Sequence, residues 1–397
     1  MNITIDNIFA FLIFFVLILA FMGFIVPSTY LPFTTTEQHQ LEEIARALLD
    51  KMLFGTGYPE NWGSNLSASG SSLTAFGLHK AKGDSYQLDI NKVLKISSQG
   101  AYQLPSTIQI PPEVVAQLLG MRGPRRYEFS VSITPALNIS YQILGNFSLD
   151  ASTSVPALIA ATVLNPDGRP AANANVTGLY LLMNVRKKGQ DEIVYLNYTY
   201  YSKVTNWEGK TTLNFTTYLK ALKDQLKTSE LKRTISAMTL YAEYFGIRSV
   251  ASSVMNQALF GTMIDKYLIV DFPIDQLPRG ARQMQNATAL SIPPFYVYLD
   301  YLHNDTNGQS GMVINAGSKK YRVYELGQGV DEDVTFICVP VKYRGDYQAV
   351  IFMRPPVDVI CQTGIPGQIK TSVLRRLVRI GSWHYILELM TWRSAEF

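Results

Sequence analysis

Four histidines and two cysteines are the side chains best suited to metal or nucleophilic chemistry in this 397-residue chain, and their spacing supports neither. His39, His79, His303 and His384 are scattered, with no i,i+4 pair to put two imidazoles on one helix face and no HExxH arrangement. Cys338 and Cys361 lack the paired Cys/His spacing of a zinc site, and no G-x-S-x-G, P-loop or dinucleotide fingerprint occurs. His303-Asn304-Asp305-Thr306-Asn307-Gly308 has the outline of half a calcium loop. Its first ligand position is His and the terminal Glu is missing, so it reads as a solvated hairpin. Asp331-Glu332-Asp333 could attract a cation but is more simply a wet turn before a strand starting at Val334. A non-catalytic protein without metal or cofactor is expected; the remaining enzyme reading is a hydrolase working through scattered carboxylates. A net charge of +4, dispersed along the chain, argues against nucleic acid.

The commonest reactive pattern is Asn-x-Ser/Thr, the acceptor for N-linked sugars. It occurs at Asn65, Asn138, Asn146, Asn175, Asn197, Asn214, Asn286 and Asn304, and once more at Asn2. Nine of 19 asparagines fall in such triplets, where about two or three would follow from ordinary Ser and Thr usage. The excess favours a glycosylated exterior face, with Ser/Thr-rich strands and loops as the alternative source. In an oxidising space Cys338 and Cys361 could close one loop of about two dozen residues, worth roughly 3 kcal/mol in the chain-entropy model. Two buried free thiols are the other reading.

Ile8 to Val26 is an uncharged run of 19 residues, 15 of them Ile, Leu, Val or Phe. As a helix it would cross roughly 28 Å of hydrocarbon. Met1 to Asn7 has no Lys or Arg, and the run exits through Val26-Pro27-Ser28 rather than a small-x-small site. An uncleaved single-pass transmembrane anchor in the cell membrane is therefore expected, with a removed signal or a buried core helix as alternatives. The charge rule gives no orientation, since the first basic residue after the run is Arg46; the sequons place the C-terminal bulk outside.

Elements that could position these residues follow. Pro27 and Pro32 interrupt any continuous helix. A second helix is expected from a capping box at Thr34 and Glu37, with Leu41, Ile44, Ala45, Leu48, Leu49 and Met52 forming one apolar stripe. The stripe fits either the protein's own first domain or a neighbouring subunit. Gly55 to Gly63 reads as a tight loop in which Trp62 covers a core edge and finds a partner for its indole N–H, or else stacks on a substrate. A short helix is expected near Pro112 to Leu119 and a half-buried strand over Tyr127 to Ile133.

Several blocks share an order with a known family: Ile3-Thr4-Ile5-Asp6, Ala45-Arg46-Ala47-Leu48-Leu49, Gly57-Tyr58-Pro59-Glu60-Asn61-Trp62-Gly63, Phe76-Gly77-Leu78, Leu88-Asp89 with Lys92-Val93, and Leu118-Leu119-Gly120-Met121 before Tyr127-Glu128-Phe129. Over about the first 130 residues the chain resembles archaeal type IV pilin-like membrane proteins, although no Lys/Arg-Gly processing site precedes the apolar run. The resemblance implies that Asp6 contacts a neighbouring subunit's N-terminus; the alternative is a plain N-cap.

Beyond Val155 the texture changes. Leu158 to Leu164 reads as a strand, Asn165-Pro166-Asp167-Gly168-Arg169-Pro170 as a turn and Ala174-Asn175-Val176 as the next strand, and Thr205 to Thr212 repeats the logic. Val155 to Pro273 resembles immunoglobulin-like or prealbumin-like sandwich modules, which implies a spacer or adhesive role. Tyr218 to Leu226 is expected to be a short helix, and Ile235 to Val250 extended rather than helical. A linker near Asp275 to Pro294 leads to a third region with strands at Val334 to Val341, Tyr347 to Met353 and Tyr385 to Trp392; Arg375, Arg376 and Arg379 read as the exposed side of a strand, with anion or glycan binding as the other option.

The expected fold class is mainly β, α+β overall, with an N-terminal transmembrane helix and an amphipathic helix before tandem β-rich extracellular domains. The expected divisions are residues 1–27, 28–150, 151–275 and 276–397. The expected function is that of a structural, single-pass membrane surface glycoprotein, a pilin-like or pseudopilin-like component of an archaeal cell-surface assembly, in contact with the lipid bilayer and other pilin-like subunits. A standalone membrane-anchored adhesin or ligand-binding surface protein is the alternative.

Overall fold

The computed structural model describes residues 13–18, 38–97, 104–121, 127–149, 154–188, 191–225, 231–254, 258–272, 312–325, 336–343, 346–353, 359–364 and 371–393. Among these the protein is mainly β, with four antiparallel sheets, a smaller mixed one and few helices. The expected N-terminal transmembrane helix is corrected: no helix among the described residues is long and apolar enough to cross a membrane. Of the run from Ile8 to Val26 only residues 13–18 are described, as helix. The rest of the run, Asp6, and the capping box at Thr34 and Glu37 lie outside the described residues.

Helix α1 (residues 38–54) buries Leu41, Ala45, Leu48, Leu49, Met52 and Leu53, the three-and-four spacing of one stripe. Leu48, Leu49, Met52 and Leu53 join the protein's own first core, with Ile44 packed at its edge, so of the two readings of this stripe the intramolecular one is realised. Helix α2 (Ile90–Ile96) starts at Asp89, whose carboxylate accepts the amides of Asn91 and Lys92 at 2.8 and 3.3 Å. Helix α3 (Pro112–Leu119) starts on a proline that has no amide to leave unpaired.

The chain then enters β1 (Tyr127–Pro135), whose alternation buries Phe129, Val131 and Ile133. Its neighbours come from the far end of the sequence. Sheet I has the order β16 (Val359–Gln362), β1, β18 (Trp383–Arg393), β17 (Thr371–Ile380), all antiparallel. It joins residues before 150 to residues after 358, two stretches the sequence reading assigns to separate regions.

Sheet II, in the order β2 (Asn138–Ser148), β3 (Ser154–Leu164), β6 (Lys210–Asn214), faces sheet III, in the order β5 (Asp191–Val204), β4 (Asn175–Lys188), β7 (Leu231–Tyr244), β8 (Ile247–Val254). Between them Val155, Ala157, Ile159, Ala161 and Val163 of β3 meet Val176, Tyr180 and Leu182 of β4, and α4 (Thr216–Gln225) adds Leu219 and Leu222. A Cβ at Gly178 would stand 2.6 Å from Leu213 Cδ1, so glycine is what lets the sheets approach there. The turn after β3 has Gly168 at φ +80°, with the Asp167 carboxylate accepting the Arg169 amide at 3.1 Å.

Sheet III is covered on both faces. Leu179, Leu181, Ile235, Ala237, Tyr241 and Val250 belong to the first core, where Tyr241 stacks on Trp383 at 5.3 Å. That core also takes in residues of sheet IV, in the order β10 (Thr262–Ile264), β11 (Tyr267–Val270), β13 (Lys319–Glu325), β12 (Met312–Ala316). Sheet V pairs β14 (Phe336–Tyr343) antiparallel with β15 (Asp346–Met353), which runs parallel to β9 (Ala258–Phe260).

Candidate functional site

Among the described residues a cleft of about 640 Å³ lies between the outer face of sheet I and one end of the sandwich. Strand register builds its first wall. Ser132, Glu388 and Arg375 stand in one cross-strand row, and Thr134, Ile386 and Leu377 in the next. Their partners in sequence, Val131, Ile133, Leu387 and Leu389, point into the core, so the period of two alone sends this set outward. Arg375 Nε donates to Glu388 Oε2, which leaves the row polar and close to neutral.

The second wall is the start of β2 and the end of β3. Asn138 is paired with Leu164, and the turn Asn165–Gly168 closes the rim, with buried Leu137 and Val250 beneath. The elbow between β1 and β2 is held by the His384 carbonyl and the Ser249 side chain, and the His384 ring braces the start of β8 beside it. The Ala136 amide donates to the His384 carbonyl at 3.0 Å, the Leu137 amide to Ser249 Oγ at 2.8 Å, and the Arg248 amide to His384 Nδ1 at 3.1 Å. Burial, then the nearby Arg379 guanidinium, pull the His384 imidazole below its ordinary value, keeping it a neutral acceptor.

A second polar cluster lies under α2. Lys92 and Lys95 are fully buried. Lys92 Nζ donates to the carbonyls of Thr56 and His79 at 2.8 and 2.9 Å, with the Asp89 carboxylate 4.0 Å away. Lys95 Nζ donates to the carbonyls of Trp62 and Asn65 and, at 3.4 Å, of Ala68. Burial lowers both ammonium groups, Lys95 to about 8. Trp62 is buried and gives its indole N–H to the Thr56 carbonyl at 3.2 Å, the core-edge reading rather than a substrate platform. Lys92 stands in one of the blocks shared with the pilin-like family, but its burial and that of Lys95 were not expected, since both look like the wet positions of a short helix.

Of the predicted residues, Asn65, Asn138, Asn146, Asn175 and Asn214 are exposed and Asn197 is half-buried; Asn286 and Asn304 lie outside the described residues. Only Asn138 among them lines the cleft. Cys361 is a buried free thiol opposite Val131 in sheet I, pushed up to about 12 by burial and so unreactive. Cys338 falls on β14, in sheet V. The stripe on β17 is largely neutralised, since Arg379 pairs with Asp84 at 2.8 Å and Arg375 with Glu388. His39 is near the Glu43 carboxylate at 3.5 Å, and His79 reaches the backbone carbonyl of Asp84 at 3.1 Å. Among the described residues no three His, Cys, Asp or Glu side chains come together as a metal site. The loops at His303 to Gly308 and Asp331 to Asp333 lie outside the described residues.

No family model matches the chain, and no curated protein matches it.

Proposed function

We propose that this protein is a structural, non-catalytic glycoprotein of a cell surface, its bulk facing outward, in an assembly of the pilin-like kind that its N-terminal sequence blocks resemble. The observation that carries the reading is the sorting of asparagines. All six described sequon asparagines reach solvent; among the described residues the buried asparagines are Asn91 and Asn184, both outside sequons, while the other non-sequon asparagines, Asn61, Asn165, Asn173, Asn206 and Asn315, also reach solvent. Triplets arising only from Ser/Thr-rich strands would fall on inward positions as well.

The architecture suits a load-bearing part. Sheet III is covered on both faces, so the sandwich is fixed to its neighbours rather than strung on a flexible linker. Ile13 to Ile18 expose six consecutive apolar side chains, each 42 to 61% accessible, a surface that calls for an apolar partner such as a lipid surface or the same segment of a neighbouring copy.

Protease added to intact cells, with glycopeptide mass spectrometry, tests the reading. Digestion of the bulk of the chain and sugar on at least some of the six sites are expected. A protected chain with bare sites throughout would overturn it.

A further inference from the structure

We propose that an N-linked glycan on Asn138 places its first sugars in the cleft between sheet I and the sandwich, where they act as a wedge that fixes the elbow between β1 and β2. This rests on the outward-facing reading above and goes further by assigning one sequon a structural role. Asn138 is exposed, opens β2 next to the elbow residue Leu137, and lines the cleft; the other five described sequon asparagines do not. Its cross-strand partner Leu164 lines the same wall.

Both walls match the surface of a sugar, which alternates hydroxyls with apolar C–H patches. The Ser132 hydroxyl, the Asn165 amide and the Arg375–Glu388 pair offer donors and acceptors, and Leu164 and Ile386 offer apolar area. The volume, about 640 Å³, falls in the range that encloses small ligands.

The attachment balances simply. Asn138 Nδ2 loses one proton and bonds to the anomeric carbon of a polyprenyl-phosphate-linked oligosaccharide. The anomeric C–O bond of that donor breaks, and the lipid phosphate leaves with the electron pair. Once the chain has folded, sugars tethered at this point reach both walls without a binding equilibrium of their own, because the tether supplies a high effective concentration.

Glycosidase release from the folded, natively glycosylated chain tests this site by site. Asn138 should be occupied, and an enzyme that cleaves the sugar–asparagine link should release its glycan about tenfold more slowly than that of Asn146, the two rates converging after denaturation. Asn138→Gln should also speed proteolysis at the turn Asn165–Gly168, while Asn146→Gln should not. A bare Asn138 beside occupied sites elsewhere, or equal release rates in the folded state, overturns the wedge and leaves the surface reading standing. Bare asparagines at all six sites remove both.

Discussion

Residues 56–68 and the sandwich handle buried polar groups in opposite ways. The loop pairs only through an isolated bridge between Tyr58 and Ala75, outside the sheets, and the carbonyls of Thr56, Trp62, Asn65 and Ala68 are met by the buried ammonium groups of Lys92 and Lys95. In the sandwich, β4 is paired along its length with β5 on one side and β7 on the other, so its backbone is satisfied without help. Polar side chains there are surplus: Thr234 donates to Asn184 Oδ1 at 2.9 Å, but Asn184 Nδ2 and Ser236 Oγ have no partner. Burying an ammonium costs several kcal/mol of desolvation, and the lowered titration of Lys95 records that cost. An irregular backbone with orphan acceptors repays it; a regular ladder has nothing to offer in return.

The largest effect is expected at Lys95. Lys95→Ala removes the shared donor of three carbonyls and leaves a void, and should lower stability in urea denaturation by about 3–5 kcal/mol. The double variant Asn184→Leu, Thr234→Val removes both partners of the sandwich hydrogen bond and should change stability by less than about 1 kcal/mol in either direction. Similar losses from the two would mean that buried polar groups carry equal weight in both places.

Close packing, rather than polar pairing, should be what the sandwich cannot give up. Gly178→Val would drive its side chain into Leu213 and Phe215, whose atoms stand 2.6 and 3.1 Å from the first added carbon. A loss of about 1–3 kcal/mol in the same assay is expected. A neutral result would show that the sheets can separate, and the contrast with the lysine-held loop would weaken.

The two regions also differ in how far the sequence discloses them. The period-two run of β1, the strands at Leu158 to Leu164 and Tyr385 to Trp392, the turn at Asn165 to Pro170, and the helices near Pro112 and Tyr218 are local patterns, and their backbone is where those patterns put it. The stripe of α1 is equally visible. What closes the fold is not local. Val131 lies opposite Cys361 on one side and Leu389 on the other, more than two hundred residues away, and no spacing announces such a partner. The cleft shares that origin: Asn138 is conspicuous as a sequon, but the row of Ser132, Glu388 and Arg375 exists only once the C-terminal strands have come back to β1. Lys92 and Lys95 mislead for a different reason. In Ile90-Asn91-Lys92-Val93-Leu94-Lys95-Ile96 the charged positions would normally face water, and only the loop laid over them makes them core. Sheet III misleads similarly, since one face belongs to the sandwich that the turns suggest and the other to a core contributed by sheets I and IV.

The smallest expected effect lies at the start of β8, beside the elbow, where a side chain serves the backbone as the lysines do but by accepting. His384 Nδ1 takes the Arg248 amide at 3.1 Å, and the half-buried ring titrates below its ordinary value. The unfolded chain takes up a proton near pH 6.5, whereas the folded ring refuses it until the pH is lower. The contribution of the neutral ring is therefore complete above that pH and is lost as the pH falls from about 6.5 through the folded value. Arg379 and Arg248 disfavour the imidazolium and Glu243 favours it, so a weakened Glu243 should deepen the loss. The change should stay under about 1 kcal/mol, because solvent screens a half-exposed group. His384→Asn keeps an acceptor for the Arg248 amide without a titrating group, so its stability between pH 6.5 and 5 should fall less steeply than that of the natural chain. Equal slopes would mean that the start of β8 tolerates a charged imidazole, and that backbone held by an accepting side chain is less demanding than backbone held by a buried ammonium.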